Sequence, residues 1–230
     1  MSFVDSILDD GGPVLVMEIM PLGNLSDLDK IQKLSLEEMR LVLRQTLQAL
    51  AYLHEQKNIT HRDIKPENIL VRSRTPDMHV KLCDFGLSTH SSLLRTHCGT
   101  SYYAAAEIFT GSYTNSVDVW SIGVIGYQFI KGLPKHSKSS KAKDWSEKIR
   151  RTVERADCQG NDPVVRLLKS MLELNAMPWI VLRQSPVYQI LGSRTYRYPC
   201  NRTWHYSLQR PEHWKRYQNS PQRYGTLQRR

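Results

Sequence analysis

The run His61-Arg62-Asp63-Ile64-Lys65-Pro66-Glu67-Asn68 is followed, sixteen residues past Asn68, by Asp84-Phe85-Gly86. Together these segments place two carboxylates, one amide and one ammonium in the order that phosphoryl transfer requires. Asp63 has the chemistry to accept the proton of an attacking hydroxyl. Lys65 has the charge to sit beside the transferring phosphate. Asn68 and Asp84 offer the hard oxygen ligands that Mg²⁺ takes between nucleotide phosphates. A buried Asp-Arg pair or a lone Asp-Phe-Gly turn occurs widely for structural reasons. The full octapeptide with the second motif at this distance is far more specific.

Reactive side chains in a loop need rigid elements on either side. Ser35-Leu36-Glu37-Glu38 reads as a capping box that opens a long helix running to about Gln56. Met39, Val42, Leu43, Thr46, Leu47, Leu50 and Leu53 recur at helical spacing and give that helix a buried stripe. The loop follows, held between the helix and a short strand at Ile69-Leu70-Val71. A second strand, Val80-Lys81-Leu82-Cys83, delivers Asp84. Upstream, Pro13 to Glu18 reads as a buried strand broken by Pro21-Leu22-Gly23-Asn24, and Phe3 to Leu8 as its preceding strand. Downstream, Val117 to Lys131 is apolar around its whole circumference, the pattern of a helix buried on every side, and Gly132 and Pro134 end it. Asp144 to Arg155 reads as an amphipathic helix. Asp162-Pro163 caps another that runs to about Leu174.

These motifs resemble those of the eukaryotic protein kinases. The loop and Asp-Phe-Gly match the catalytic loop and metal-binding motif, and the Lys-Pro-Glu version resembles the serine/threonine branch. Gly99-Thr100-Ser101-Tyr102-Tyr103-Ala104-Ala105-Ala106-Glu107 corresponds to the end of the family's activation segment. Asp118-Val119-Trp120-Ser121-Ile122-Gly123 matches the start of its central helix. The Thr-x-Cys-Gly-Thr spacing at Thr96 to Thr100 leans toward the calmodulin-dependent or checkpoint-like groups.

The resemblance implies an α+β, protein-kinase-like fold, mainly the helical C-terminal lobe. It implies a remnant of N-lobe strands and hinge at residues 1–20, the C-lobe at 21–176, and a basic, aromatic-rich, disordered tail at 177–230. It implies Asp63, Lys65 and Thr100 as catalytic residues, with Thr100 contacting Asp63 and Lys65. Asn68 and Asp84 become the metal ligands. Glu18, Met20, Glu67 and Leu70 become nucleotide contacts: the Glu18 carbonyl and the Met20 amide and carbonyl would face adenine, Leu70 would be part of its floor, and Met17 would be the gatekeeper. Asp118 is implied to hold loop backbone as a support. Arg62 is implied to pair with a phosphate on the activation segment, with Thr96 the leading acceptor and Ser91 and Ser92 its rivals. The implied cofactors are ATP and Mg²⁺. The implied partners are a protein substrate with a Ser or Thr acceptor and an upstream activating kinase acting at Thr96.

The sequence also departs from the family. No Gly-x-Gly-x-x-Gly and no Val-Ala-x-Lys precede Asp63. The nucleotide would then have a floor without a roof, and an inactive kinase-fold fragment acting as a binding or scaffold module is the alternative expectation. Ala106 replaces the family proline, and Glu107 has no clear match for the arginine that pairs with it.

Composition supports one packed domain with an appended tail. Residues 1–176 hold 22 basic and 21 acidic side chains, whereas residues 177–230 hold 10 basic and one acidic. The tail alternates arginine with tyrosine, as in Tyr196-Arg197-Tyr198, a pattern that stacks on single-stranded nucleic acid in some proteins. With no periodicity behind it, a disordered basic tail is preferred and no nucleic-acid partner is expected. No apolar run is long enough to span a membrane, the N-terminus lacks the regions of a signal peptide, and the four cysteines show no metal spacing. A cytoplasmic or nuclear location with reduced thiols is the expectation.

Overall fold

The computed structural model describes residues 3–9, 12–75, 77–89, 102–109, 113–135, 142–159, 163–173 and 191. All of them lie in one compact unit, Met1–Ser193. One antiparallel strand pair opens the chain, and a second lies between the first two helices and the last three. Strand β1 (Phe3–Asp9) pairs with β2 (Gly12–Met17), from Phe3 opposite Met17 to Asp9 opposite Gly12. Strand β3 (Ile69–Ser73) pairs with β4 (His79–Leu82), Leu70 lying opposite Lys81. The helices are α1 (Leu25–Ile31), α2 (Leu36–Ala51), α3 (Ser116–Lys131), α4 (Ala142–Gln159) and α5 (Pro163–Met171).

Helix α2 starts where the capping box places it. Ser35 Oγ accepts the Glu38 N–H at 3.2 Å and Glu38 Oε2 accepts the Ser35 N–H at 2.7 Å. Arg74 locks the same corner, donating to both Glu38 oxygens and to the carbonyls of Gln32 and Lys33. The α-helix stops at Ala51 rather than Gln56, and the remaining turn, Tyr52–Gln56, is a π-helix. That wider turn carries His54 to the buried face of α3. Asn58, left-handed at φ 51°, ends the run, a conformation that asparagine tolerates better than most residues.

Helix α3 is the axis of the core. Every residue from Ser116 to Tyr127 is buried, as its all-round apolar sequence requires. It packs on α2 and α5 through two glycines. A Cβ on Gly126 would lie 2.6 Å from Leu168 Cδ2 and 3.0 Å from Leu43 Cδ2, and one on Gly123 would lie 3.0 Å from Leu172. Small residues there let three helices approach at a single level. Gly132, at φ 80°, terminates α3 in the conformation that favours glycine.

Four further expectations are adjusted by the structure. Helix α1 lies where only a chain break was expected, capped by Asn24, whose Oδ1 accepts the Asp27 N–H at 2.9 Å. Helix α4 runs beyond both ends of the expected 144–155. Helix α5 ends three residues early, at Met171, and its expected cap Asp162 lies outside the described residues. Leu191 falls in the stretch expected to be a disordered tail, yet it is 3% exposed and belongs to the core, and its carbonyl accepts a hydrogen bond from buried Arg44 at 3.3 Å. A guanidinium removed from water needs such an acceptor, so the packed unit does not close at residue 176.

Candidate active site

The loop at 61–65 has no regular hydrogen bonding of its own, so its backbone must be satisfied from outside. The side chain of Asp118, in the first turn of α3 and 1% exposed, does this. Its Oδ2 accepts the His61 N–H at 2.8 Å and its Oδ1 accepts the Arg62 N–H at 2.8 Å. His54 Nε2 lies 2.8 Å from the same Oδ2. This is the supporting role expected of Asp118. The fork bends the loop hard enough to hold Arg62 at φ 70°, a conformation that costs a non-glycine residue about 1–2 kcal/mol.

Three further ties join the loop to the Asp84 segment. Thr60 and Thr89 exchange both backbone hydrogen bonds, at 3.0 and 3.1 Å. His61 is fully buried; its ring packs at a 49° tilt against Phe85 with a 5.0 Å centroid distance, and its Nε2 lies 3.0 Å from the Cys83 carbonyl. The Cys83 N–H donates to the Asn68 carbonyl at 3.0 Å. That last bond brings the chain position of Asp84 beside Asn68. Asp84 itself is left-handed, φ 62°, and its Oδ1 accepts the Gly86 N–H at 3.2 Å.

Inside this frame the reactive groups converge. Lys65 Nζ donates to Asp63 Oδ2 at 2.7 Å, with 24% and 10% of the two side chains exposed. Asn68 Nδ2 donates to the Asp63 carbonyl at 2.8 Å and lies 3.3 Å from Asp63 Oδ2. Burial works against the charge on Lys65. The hydrogen bond that Lys65 donates to Asp63 and the charges of Asp63, Asp84 and Glu67 outweigh it, so the ammonium is held above its ordinary pKa and stays charged. Cys83, between β4 and Asp84, is shifted the other way. Burial first, and the Asp84 charge second, push its thiol up to about 11.

The donor set fits a magnesium nucleotide. Asn68 directs its amide nitrogen at Asp63, which leaves Oδ1 on the opposite branch, and Asp84 is exposed. Among the described residues no three His, Cys, Asp or Glu side chains form a metal cage. Mg²⁺ needs none, because it is held by one or two protein oxygens together with phosphates and water.

Of the expected nucleotide contacts, Glu18 and Met20 lie just past β2, Glu67 is exposed in the 3₁₀ turn Pro66–Asn68, and Leu70 is half-buried in β3. The Met20 carbonyl accepts the Gly23 N–H at 3.1 Å, so one of its two lone pairs is committed to a turn. Met17, expected as gatekeeper, is 47% exposed, and Ile19 is 86% exposed. Arg62, expected to meet a phosphate, donates from Nε to the Leu87 carbonyl at 2.5 Å. Thr100, Thr96, Ser91 and Ser92 lie outside the described residues. Beyond them, Trp145 Nε1 donates to the Tyr102 carbonyl at 2.9 Å and Ser121 Oγ to the Tyr103 carbonyl at 3.0 Å, fixing the segment that leads into the 3₁₀ helix Ala106–Phe109. Burial raises the pKa of the Glu107 carboxyl within that helix.

Sequence reasoning missed His54 and the structural weight of His61. Neither has a periodic signal. The one available clue was a histidine closing an apolar helix in a chain that also buries an aspartate.

A loop frame of this kind, with a base, a lysine and two metal-type oxygens, defines a phosphotransferase site. The protein kinase domain model matches residues 1–181, and the chain belongs to the protein kinase family. Relatives that it matches include kinases named as calcium/calmodulin-dependent and calcium-dependent. A probable myosin light chain kinase of Dictyostelium discoideum is 42% identical over 146 residues, 61% of this chain and 41% of that protein. Calcium/calmodulin-dependent protein kinase type IV of Mus musculus is 43% identical over 125 residues, 52% of this chain and 26% of that protein. Calcium-dependent protein kinase 4 of Plasmodium berghei is 41% identical over 103 residues, 43% of this chain and 19% of that protein. The matches thus span less than half the length of each of these relatives.

Proposed function

We propose that this chain is the catalytic-lobe portion of a protein serine/threonine kinase, which transfers the γ-phosphoryl group of ATP to a Ser or Thr hydroxyl of a protein. The observation that carries the reading is the Asp118 fork, which holds the loop so that Asp63, Lys65 and Asn68 share one hydrogen-bonded cluster. In the reaction the hydroxyl oxygen forms a bond to the γ-phosphorus while the bond to the bridging oxygen breaks, leaving ADP. Asp63 orients the hydroxyl and receives its proton. Lys65, held charged, offsets negative charge on the transferring group. Asn68 Oδ1 and the Asp84 carboxylate are the groups that would hold Mg²⁺. When bound, Mg²⁺ neutralises charge between the phosphates. The backbone at Glu18 and Met20 would face adenine, with Leu70 beneath it, and Glu67 would be a further nucleotide contact.

The same reading assigns the activating phosphate to Thr96, added by an upstream kinase, and Thr100 to the contact with Asp63 and Lys65. It places the protein in the cytoplasm or nucleus. No described helix is long and apolar enough to cross a membrane. A second reading, a kinase-fold module that binds without catalysis, is favoured by one observation: Met17 and Ile19 leave apolar surface uncovered along the hinge.

MgATP-dependent phosphorylation of a generic basic protein separates the two. Signal that disappears with both Asp63→Asn and Asp84→Asn supports the kinase. Signal no greater than in those variants supports the binding module.

A further inference from the structure

Helix α2 buries a glutamine beside its apolar stripe. Gln45 is 4% exposed, and its carboxamide reaches the outer edge of β4. Its Nε2 donates to the Met78 carbonyl at 2.7 Å, and its Oε1 accepts the Val80 N–H at 3.1 Å. Nε2 also donates to the Leu41 carbonyl at 3.3 Å, so the group fits in one orientation only. Main-chain geometry calls for this contact. On the other edge of the hairpin, the Leu22 N–H donates to the Val71 carbonyl at 3.3 Å and the Val71 N–H donates to the Gly23 carbonyl at 2.8 Å. Val71 therefore turns its backbone groups away from β4, and its partner Val80 turns its own away from β3. A buried N–H there needs an acceptor. Gln45 supplies it, and meets residues 78 and 80 at the spacing a neighbouring strand would use.

The place of that contact bears on the metal-type oxygens. Asn68 immediately precedes β3 and Asp84 follows β4 by two residues, so both stand at the same end of the hairpin. The ladder runs on to them: Ile69 lies opposite Leu82, and the Cys83 N–H donates to the Asn68 carbonyl at 3.0 Å. The offset between Asn68 and Asp84 is thus the register of β4 on β3. At the other end that register is irregular, because Arg72 is an extra residue between the Val71–Val80 and Ser73–His79 pairs. An extra residue of this kind disrupts the ladder locally. A slip of one residue would carry Asp84 about 3.3 Å along the strand and turn its side chain to the opposite face. Mg²⁺, with ligands at about 2.0–2.1 Å in near-ideal octahedral geometry, tolerates neither. Gln45 grips β4 at Met78 and Val80, the two residues that flank His79 of the irregular pair.

We infer that Gln45 is a positioning residue for the metal ligands. It holds the register of β4 on β3, and thereby the offset of Asp84 from Asn68, and touches neither metal nor nucleotide itself. The inference rests on the proposed function, because it needs a metal nucleotide at those two oxygens. It predicts a defect in metal recognition that a loss of core packing on the same helix does not reproduce.

Calorimetric titration of the full 230-residue chain with ATP, once in magnesium chloride and once in EDTA, tests this. The quantity read is the gain in ATP affinity that the metal brings. Hydrogen exchange at the Val80 amide and the melting temperature accompany each titration. Gln45→Met keeps the length of the side chain and removes its hydrogen bonds. It is expected to speed exchange at Val80 and to cut the metal-dependent gain about tenfold, the lower end of the loss seen when the support of a metal ligand is removed, with metal-free ATP affinity unchanged. Leu47→Ala, at a fully buried position of the same helix, is the control: the melting temperature falls and the gain stays. An unchanged gain in Gln45→Met, an equal loss of gain in Leu47→Ala, or a matching loss of metal-free affinity overturns the role of Gln45. If Gln45→Met does not fold, Gln45→Asn decides, its amide being one methylene short of β4: a reduced gain supports the inference, and an unreduced gain overturns it. A wild-type chain that binds ATP equally with and without metal overturns Asn68 and Asp84 as metal ligands, and this inference with them. A wild-type chain that binds no ATP in either condition overturns the proposed function and the inference together.

Discussion

Replacing Asp118 by asparagine changes one atom of a carboxylate that is 1% exposed. The carboxylate accepts from His61 and Arg62 at 2.8 Å each, and His54 Nε2 lies 2.8 Å from Oδ2. An amide accepts on one branch only. Its oxygen is expected at the Oδ2 position, where it keeps two partners, so its NH₂ group faces the Arg62 N–H. One charge-assisted hydrogen bond, worth about 1.5–3 kcal/mol, is lost, and a buried N–H is left unpaired at about 1–3 kcal/mol. Some of this is returned, because Arg62 is released from its left-handed φ of 70°. A net loss of about 3 kcal/mol follows, and in a domain of this size each kcal/mol moves the melting temperature by about 2–4 °C. A fall of roughly 6–12 °C is expected by circular dichroism. Hydrogen exchange should localise it: the Arg62 amide exchanges faster while the His61 amide remains protected. A melting temperature within about 2 °C of wild type, or loss of protection at His61 before Arg62, would refute the reasoning.

Gly126→Ala should destabilise by about 1–3 kcal/mol, despite better helix propensity, because the new Cβ meets Leu168 Cδ2 at 2.6 Å; urea midpoints should show Leu168→Ala recovering part of the loss in the double variant. The Arg74 guanidinium holds the Glu38 carboxyl down to about 2, so the stability it contributes is full above the ordinary value of 4.5 and drains away as pH falls from there to about 2. Acid titration of wild type against Glu38→Gln should therefore give a stability gap, on the order of 1 kcal/mol after solvent screening, that closes by pH 2. A gap that persists at pH 2 would rule the pair out. With its thiol pushed up to about 11, Cys83 should alkylate far more slowly at pH 8 than a free thiol in the denatured chain, and should accelerate above pH 10. Mass spectrometry of iodoacetamide-treated peptides reads the difference, and equal rates at pH 8 would contradict it.

Much of this architecture was legible because it is local. The Ser35–Glu38 box, the stripe of α2 and the all-round apolar run of α3 each declare themselves within a few residues. Helix α1 did not, because seven residues with only Leu25 and Leu28 buried are too few to show a period. Its one signal was Asn24 with an acidic residue at the third helical position, which a Pro-Leu-Gly prefix masks. The reactive residues were legible because motif order follows chemistry. Their supports were not, because they act across long gaps: His54 meets Asp118 over 64 residues, Lys81 meets Glu18 over 63, and Arg44 meets Leu191 over 147. No periodicity links such pairs, and only packing brings them together.

The placing of those supports bears on how the site fails. The hydrogen bonds that shape the catalytic loop run among residues 54–118, from His54 and Asp118 to the Thr60–Thr89 exchange and the Cys83–Asn68 bond. Described loop-shaping bonds do not pass through β1 or β2, a two-stranded pair of a kind that is marginal by itself. Disturbing that hairpin should therefore reach the hinge, through Glu18 and Lys81, and leave the Asp63–Lys65–Asn68 cluster in place. Disturbing α3 should do the opposite. A variant such as Val16→Asp in β2 is then expected to weaken ATP while sparing tripolyphosphate, whereas Asp118→Asn should weaken both. Calorimetry of the two variants side by side checks this, and weakened tripolyphosphate binding in the β2 variant would show that the hairpin, and not α3, sets the geometry of the loop.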